Sequence, residues 1–392
     1  MSPDARHFRR GVATPALLLT FIVLPLATAV AACSGGGGRS TDSGGGGSGD
    51  SGGGGGGDSA ALPGDSGGGG STADSGGSTA CGTCPAGYTC GTANGVAVCR
   101  APSGIPELEH VIVIVLENTS YQTLVDSTNT PYLHGLMSAW ATSSNYHGVE
   151  HPSLPNYIAM TSGGTGGIGC DCDPTGTACN ALNCNALLSL CGCAQAAESL
   201  ADQIEAAGRT WRAYGEDMGT PCNLADAGDY AVRHVPFLYY EALQMDQPRC
   251  DAHVVDFSNF AGDMASAPSD FIYVAPNLVH DMHDPFPASS ANLANGDMWL
   301  AGVVPSILAS SAFLDRGALF IVWDEDDLSG VVAPDDPIPF FLLSPLALSG
   351  GAVSAVRADH YSLLATFEDG LALPRLGAAA SATPLADLFP GS

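Results

Sequence analysis

From about Leu108 onward, short apolar runs alternate with stretches of helical spacing, the pattern of buried parallel strands joined by crossover helices. The apolar runs predict strands at 110–116, 210–214, 271–274, 318–323 and 338–343. The amphipathic stretches predict helices at 196–207, 297–310 and 361–371, with Gly208 as the stop of the first. The expected fold is α/β, a three-layer α/β/α sandwich around a mostly parallel central sheet. In open sheets of this kind ligands bind beyond the carboxyl ends of the strands, so candidate site residues are sought just after each apolar run.

Before that region the chain is poor in large apolar residues, apart from one stretch. Arg6, Arg9 and Arg10 precede an apolar segment over 12–32, which reads as an export signal. It ends in Val30-Ala31-Ala32-Cys33 followed by glycines, which resembles a bacterial lipobox. Residues 1–32 would then be a lipoprotein signal peptide, with Cys33 lipidated as the first mature residue. The alternatives are an uncleaved transmembrane anchor, or secretion with Cys33 unused. Residues 34–80 are nearly all Gly, Ser, Asp and Thr and cannot bury enough apolar surface to offset the entropy of ordering. They read as a disordered linker with a coil span on the order of 40 Å. The expected location is the cell envelope, with the protein exported and tethered to a membrane by its N-terminus.

Thirteen cysteines behind an export signal point to an oxidising compartment, and setting Cys33 aside leaves an even number. Cys81, Cys84, Cys90 and Cys99 suggest a small two-disulfide module at 81–100, with zinc as the rival for the Cys81-x-x-Cys84 spacing. Cys170, Cys172, Cys179, Cys184, Cys191 and Cys193 suggest a bridged surface insertion at 170–193 within a catalytic domain of 105–392. Cys222 and Cys250 remain as a candidate pair.

The net charge is −28, and all twelve basic residues are arginine. Nucleic acid is therefore excluded as an expected partner. The same acidity would repel a phosphate ester, and a bound cation best supplies the local positive charge such a ligand needs. The candidate chemistry fits that requirement. The first apolar run stops at Glu117-Asn118 and the run over 318–323 stops at Asp324-Glu325, so two strand ends offer oxygen ligands to one shared divalent cation. Calcium, magnesium, manganese, zinc and iron all remain open as its identity. An acidic surface loop is the plainer alternative for the second cluster. Ser153, in His151-Pro152-Ser153-Leu154-Pro155-Asn156, reads as a helix N-cap. That geometry also suits a nucleophile, because free N–H groups and the helix dipole favour a phosphate there. Arg233-His234 and the Asp281-Met282-His283-Asp284 segment offer groups to bind phosphoryl oxygens and to protonate a leaving group. Asp359-His360 opens the last helix, either as a cap with a supporting histidine or as part of the site.

These residues in this order resemble the bacterial phosphoesterase family that includes secreted acid phosphatases and non-specific phospholipases C, distant relatives of the alkaline phosphatase superfamily. The resemblance covers about residues 108 to 390 and rests on Leu116-Glu117-Asn118, the His-Pro-Ser-Leu-Pro-Asn-Tyr stretch, Trp211-Arg212-Ala213-Tyr214, Asn277 through Asp284 and Trp323-Asp324-Glu325. It implies that Glu117, Asn118, Asp324 and Glu325 bind the metal with Ser153, the nucleophile. It also implies that His234 holds the phosphoryl group and His283 assists the leaving group. Arg233 and His360 are taken from their own positions in the chain as further candidate substrate contacts. The leader, the linker, the cysteine module and the 170–193 insertion depart from the family pattern. Phospholipases of the family often carry threonine at the nucleophile position, so Ser153 leans towards monoesters, phosphoinositides among them. Two rivals stand beside this: a phospholipase C type phosphodiesterase, and a non-catalytic surface binding protein with structural metal.

Overall fold

A computed structural model describes residues 81–175, 193–283, 289–327 and 336–391. The expected signal, Cys33 and the linker to residue 80 lie outside the described residues, as does 176–192 of the cysteine-rich segment. The first described element is a hairpin, β1 (Thr89–Ala93) and β2 (Val96–Arg100). Its turn residues, Asn94 and Gly95, both have positive φ, as the twist of a two-residue hairpin demands.

The catalytic region is built on a sheet with nine described strands. In chain order they are β3 (His110–Leu116), β4 (Ala141–His147), β5 (Trp211–Gly215), β6 (Val254–Asp256), β7 (Phe271–Ala275), β8 (Gly317–Trp323), β9 (Ile338–Leu343), β10 (Val353–Ser354) and β11 (Ala358–Asp359). The spatial order is β10-β4-β9-β8-β3-β7-β5-β6, with β11 also on β4. β9 runs antiparallel to both its neighbours, and every other pairing is parallel. The centre of the sheet is β8-β3-β7, and these strands are buried on both faces, which is why they read as continuous apolar runs.

Helices cover the sheet in two groups. α1 (Tyr121–Asp126) and α2 (Pro131–Ala139) follow β3, the long helix Ser290–Leu308 follows β7, and α2 packs on that long helix. α3 (Ser153–Ser162), α4 (Leu200–Ala206) and the helix His360–Gly370 form the other group, packed against one another through α3. The result is the expected α/β sandwich. Gly163 ends α3 at φ 72°, and a Cβ there would meet the Leu376 carbonyl oxygen at 2.4 Å, so the close approach of the 376–377 backbone requires glycine.

Several elements differ from the sequence-based expectation. β4 carries Thr-Ser-Ser-Asn and lacks an apolar run, yet Thr142 and Ser143 are buried by its place in the sheet. The helix expected to begin at Asp297 begins at Ser290, where the Ser289 N–H donates to Asn292 Oδ1 at 3.1 Å. Asp297 is spent elsewhere: its buried carboxylate accepts the free N–H groups of Tyr132 and Leu133 at the start of α2, at 3.0 and 2.8 Å.

Cys81 pairs with Cys90, Cys84 with Cys99, Cys172 with Cys193 and Cys222 with Cys250. Cys170 is also disulfide-bonded. Two structural findings concern the ends of these segments. The hairpin shares the main core, through Ala93, Val98 and Ala101, with the sheet strands. The two described ends of the 170–193 segment are also interior: Cys170, Cys172 and Cys193 form a second core cluster with Leu154 and Ile158 of α3 and with Tyr239.

Arg100 is the polar clasp of the hairpin. Its guanidinium donates to the carbonyls of Thr92, at 2.8 Å, Gly104 and Pro390, joining the hairpin to the end of the chain. Arg100→Ala leaves these part-buried carbonyls without their donor and is expected to cost about 2 to 3 kcal/mol. A denaturant midpoint that does not move would show that the apolar contacts hold the hairpin by themselves.

Candidate active site

The register of the central strands determines what meets at their carboxyl ends. Leu116 of β3 lies opposite Trp323 of β8, so Glu117-Asn118 and Asp324-Glu325 leave the sheet side by side. The Asp324 N–H donates to the Leu116 carbonyl at 3.0 Å and the Asn118 N–H to Asp324 Oδ1 at 3.0 Å. The Asn118 side-chain amide donates to Glu325 Oε1 at 2.8 Å. Ser153 completes the cluster from α3: its hydroxyl lies 2.8 Å from Glu117 Oε2 and 3.2 Å from Glu325 Oε1. Pro152 is the residue before the helix and Ser153 the first residue in it, so Ser153 is not the N-cap that the sequence suggested. Its hydroxyl is thereby free of a capping bond and directed at the carboxylates.

Surrounding groups hold these side chains in place. Tyr157, one turn along α3, donates to Glu117 Oε1 at 2.7 Å and stacks on the ring of His234. His234 Nε2 lies 3.1 Å from the same carboxylate oxygen, and Tyr273 of β7 donates to the His234 carbonyl at 2.8 Å. His151 pairs with Glu325 through Nδ1 and lies 3.8 Å from Asp326. Asn156 shapes the turn before α3 by accepting from the Val149 and Glu150 N–H groups and donating to the Glu150 and Pro152 carbonyls. Asp171, from the cysteine-rich segment, accepts from the Leu154 N–H at 2.9 Å.

The three carboxylates are buried, Asp324 completely. Burial, reinforced by Glu117 and Glu325, pushes the Asp324 carboxyl well above its ordinary range. Burial also raises Glu325, to about 7, although His151 acts against the rise. Glu117 goes the other way: burial is opposed and outweighed by His234, Arg233 and Tyr157, which hold it below the usual carboxylate range. Asn118 Oδ1 and Asp324 Oδ2 are buried without a hydrogen-bond partner among the described residues. The cluster is thus rich in negative oxygen and short of positive charge.

Of the residues singled out in the sequence, Glu117, Asn118, Ser153, Asp324, Glu325 and His234 come together here. Arg233 is half-buried beside His234, and its charge reaches Glu117. His283 lies on the loop whose Asp281 carbonyl accepts the Glu117 N–H at 2.9 Å. His360 is fully buried, with Nδ1 2.9 Å from the Tyr146 hydroxyl and Nε2 2.5 Å from the Asp324 carbonyl. Burial lowers its pKa to about 4, so it supports Asp324 from behind as a neutral ring and does not face a substrate. His151 and Tyr157 belong to the Ser153 motif, but the sequence alone gives them no role. Their one signal is their spacing from Ser153, two residues before it and one helical turn after it.

Residues 125–374 match the phosphoesterase family. Among curated relatives, the phosphatidylinositol-3-phosphatase of Mycobacterium tuberculosis is 28% identical over 292 residues, 74% of this chain and 85% of that protein. The acid phosphatase of Aspergillus fumigatus is 25% identical over 279 residues, 67% of this chain. The chain spans 54% of that fungal protein, little more than half its length. Among solved structures, a protein in the alkaline phosphatase superfamily from Vibrio parahaemolyticus aligns with a TM-score of 0.47 at 12% identity, over 69% of this chain and 68% of that one. So distant a likeness decides nothing about the chemistry of the site.

The raised carboxyls make stability depend on pH. Glu325 has a folded pKa of about 7 against an ordinary 4.5, so between those values the folded state binds more protons than the unfolded. Stability in chelator is therefore expected to fall as pH rises through that window. His151 adds the same sign, since its hydrogen bond to Glu325 raises its pKa and that stabilisation is lost on deprotonation. A urea midpoint followed from pH 4.5 to 8 should drop, and Glu325→Gln should flatten the drop. A flat profile for the unaltered protein would mean that protein groups already compensate the cluster.

Proposed function

Because the chain belongs to the phosphoesterase family and is a hydrolase acting on phosphoester bonds, we propose that it is a metal-dependent phosphomonoesterase working through a phosphoserine on Ser153. The observation that carries this reading is the Ser153 hydroxyl, held between Glu117 Oε2 and Glu325 Oε1 at the N-terminal turn of α3. The donor set fits a hard divalent cation: buried carboxylate oxygens from two adjacent strands, with the partnerless amide oxygen of Asn118 among them. Glu117, Asn118, Asp324 and Glu325 would hold the ion with Ser153. When bound, it supplies Lewis acidity and the positive charge that an ester needs on entering so acidic a protein.

The chain's own groups account for the remaining steps. Ser153 Oγ attacks phosphorus in line, the bond from phosphorus to the alcohol oxygen breaks, and the serine proton leaves along its hydrogen bond to a neighbouring carboxylate. His283 gives a proton to the departing alcohol, and Arg233 and His234 offset charge on the phosphoryl group. Water then attacks the phosphoserine and releases phosphate. Tyr157 acts as a positioning residue, since it orients Glu117 and packs on His234.

A serine nucleophile favours monoesters. The name of the Mycobacterium relative supports phosphoinositides as candidate substrates, and those of the fungal relatives support acid phosphatase activity. The disulfides support export to an oxidising compartment, and Cys33 would tether the protein to the envelope membrane through lipid.

Phosphate release from p-nitrophenyl phosphate is expected to require a divalent cation and to be lost in chelator. Ser153→Ala should lower it by roughly 10⁴-fold or more while leaving the fold intact. Retained turnover in that variant would rule out Ser153 as the nucleophile. Release of diacylglycerol from phosphatidylcholine, without phosphate from monoesters, would point to a phosphodiesterase. No hydrolysis of any ester would leave a binding protein. Tyr157→Phe should lower kcat by about tenfold, the value of one hydrogen bond to a charged group.

A further inference from the structure

A cleft of about 1030 Å³ has Asn118, a member of the carboxylate cluster, in its lining. Ser153 does not line it but is one hydrogen-bonded step away, because Glu325 Oε1 accepts from both the Asn118 amide and the Ser153 hydroxyl. The cleft therefore adjoins the place where the phosphoryl group of an ester would sit. Twelve of its eighteen described lining residues carry a hydroxyl or an amide, three are aspartates and none is cationic. The segments 284–288 and 328–335, which adjoin it in sequence, contain no Lys or Arg either.

That lining has a definite chemical preference. Asp327 is fixed by the Ser120 and Thr123 hydroxyls, both at 2.6 Å, while Asp126 and Asp336 stand exposed at the rim. Carboxylates and hydroxyls bind the hydroxyl groups of a polyol well, and the apolar side chains of Leu293 and Pro337 suit the C–H face of its ring. The same aspartates would repel a second phosphate, with no cationic side chain among the described lining residues to offset it. We infer that this cleft is the leaving-group subsite, and that it selects uncharged polyhydroxy leaving groups against leaving groups that carry further phosphates, which sets it against the phosphoinositides that the name of the Mycobacterium relative suggests. The inference rests on the phosphomonoesterase reading and adds to it the class of alcohol released.

The test compares kcat/KM for glucose 6-phosphate, glucose 1,6-bisphosphate and propyl phosphate, with p-nitrophenyl phosphate as the reference ester. The hexose monophosphate is expected to exceed both the bisphosphate and the alkyl ester by about tenfold or more. Asp126→Lys combined with Asp336→Lys, both at exposed rim positions, should narrow the ratio of monophosphate to bisphosphate several-fold, and added salt should narrow it in the unaltered enzyme. Turnover of all the esters without this order, or a ratio that the double variant does not move, overturns the inference and leaves the phosphomonoesterase reading standing. No turnover of any ester, the reference included, overturns both.

Discussion

The in-register pairing of β3 with β8 is the constraint on which the site depends. It delivers Glu117 and Asp324 to the same end of two strands that are buried on both faces, so neither carboxylate can turn to solvent. Burying several like charges is costly, and the protein lowers that cost only in part. His234 and Tyr157 compensate Glu117, His151 compensates Glu325, and Asp324 keeps the largest burden. On the proposed reading, these buried acid oxygens and the Asn118 amide oxygen are held together to receive a positive ion.

Much of the surrounding structure serves this arrangement. α3 sets Ser153 and Tyr157 one turn apart on the face that meets the cluster, and Asn156 between them ties down the preceding turn. The cysteine-rich segment is part of the same support, since Asp171 meets the first turn of α3 and the Cys172–Cys193 bridge packs against Leu154 and Ile158. His360 plays a similar part from the other side by bonding the Asp324 carbonyl.

The sheet centre was legible because a strand covered on both faces has no polar positions to interrupt it, as with 110–116 and 338–343, whose bounds the structure repeats. β4 was not legible, because Thr142 and Ser143 are buried by tertiary placement that no local pattern announces. Asp297 misplaces the start of its helix because an acidic residue near a helix start usually caps its own helix, whereas this one caps α2 across the fold. Residues that end strands or sit between prolines stood out by position, and the structure brings Glu117, Asn118, Ser153, Asp324 and Glu325 together. The parts of His151, Tyr157 and Asp171 were not, because they act on residues that come close only once the sheet and α3 have packed.

The central claim is that Ser153 takes the phosphoryl group, and its most direct test is to trap the covalent state. The enzyme, loaded with divalent cation and turning over a ³²P-labelled monoester, would be quenched in acid and its peptides mapped. The account predicts label on Ser153, absent when chelator is added before substrate. Label on another residue, or steady turnover with no labelled peptide at any quench time, would contradict it.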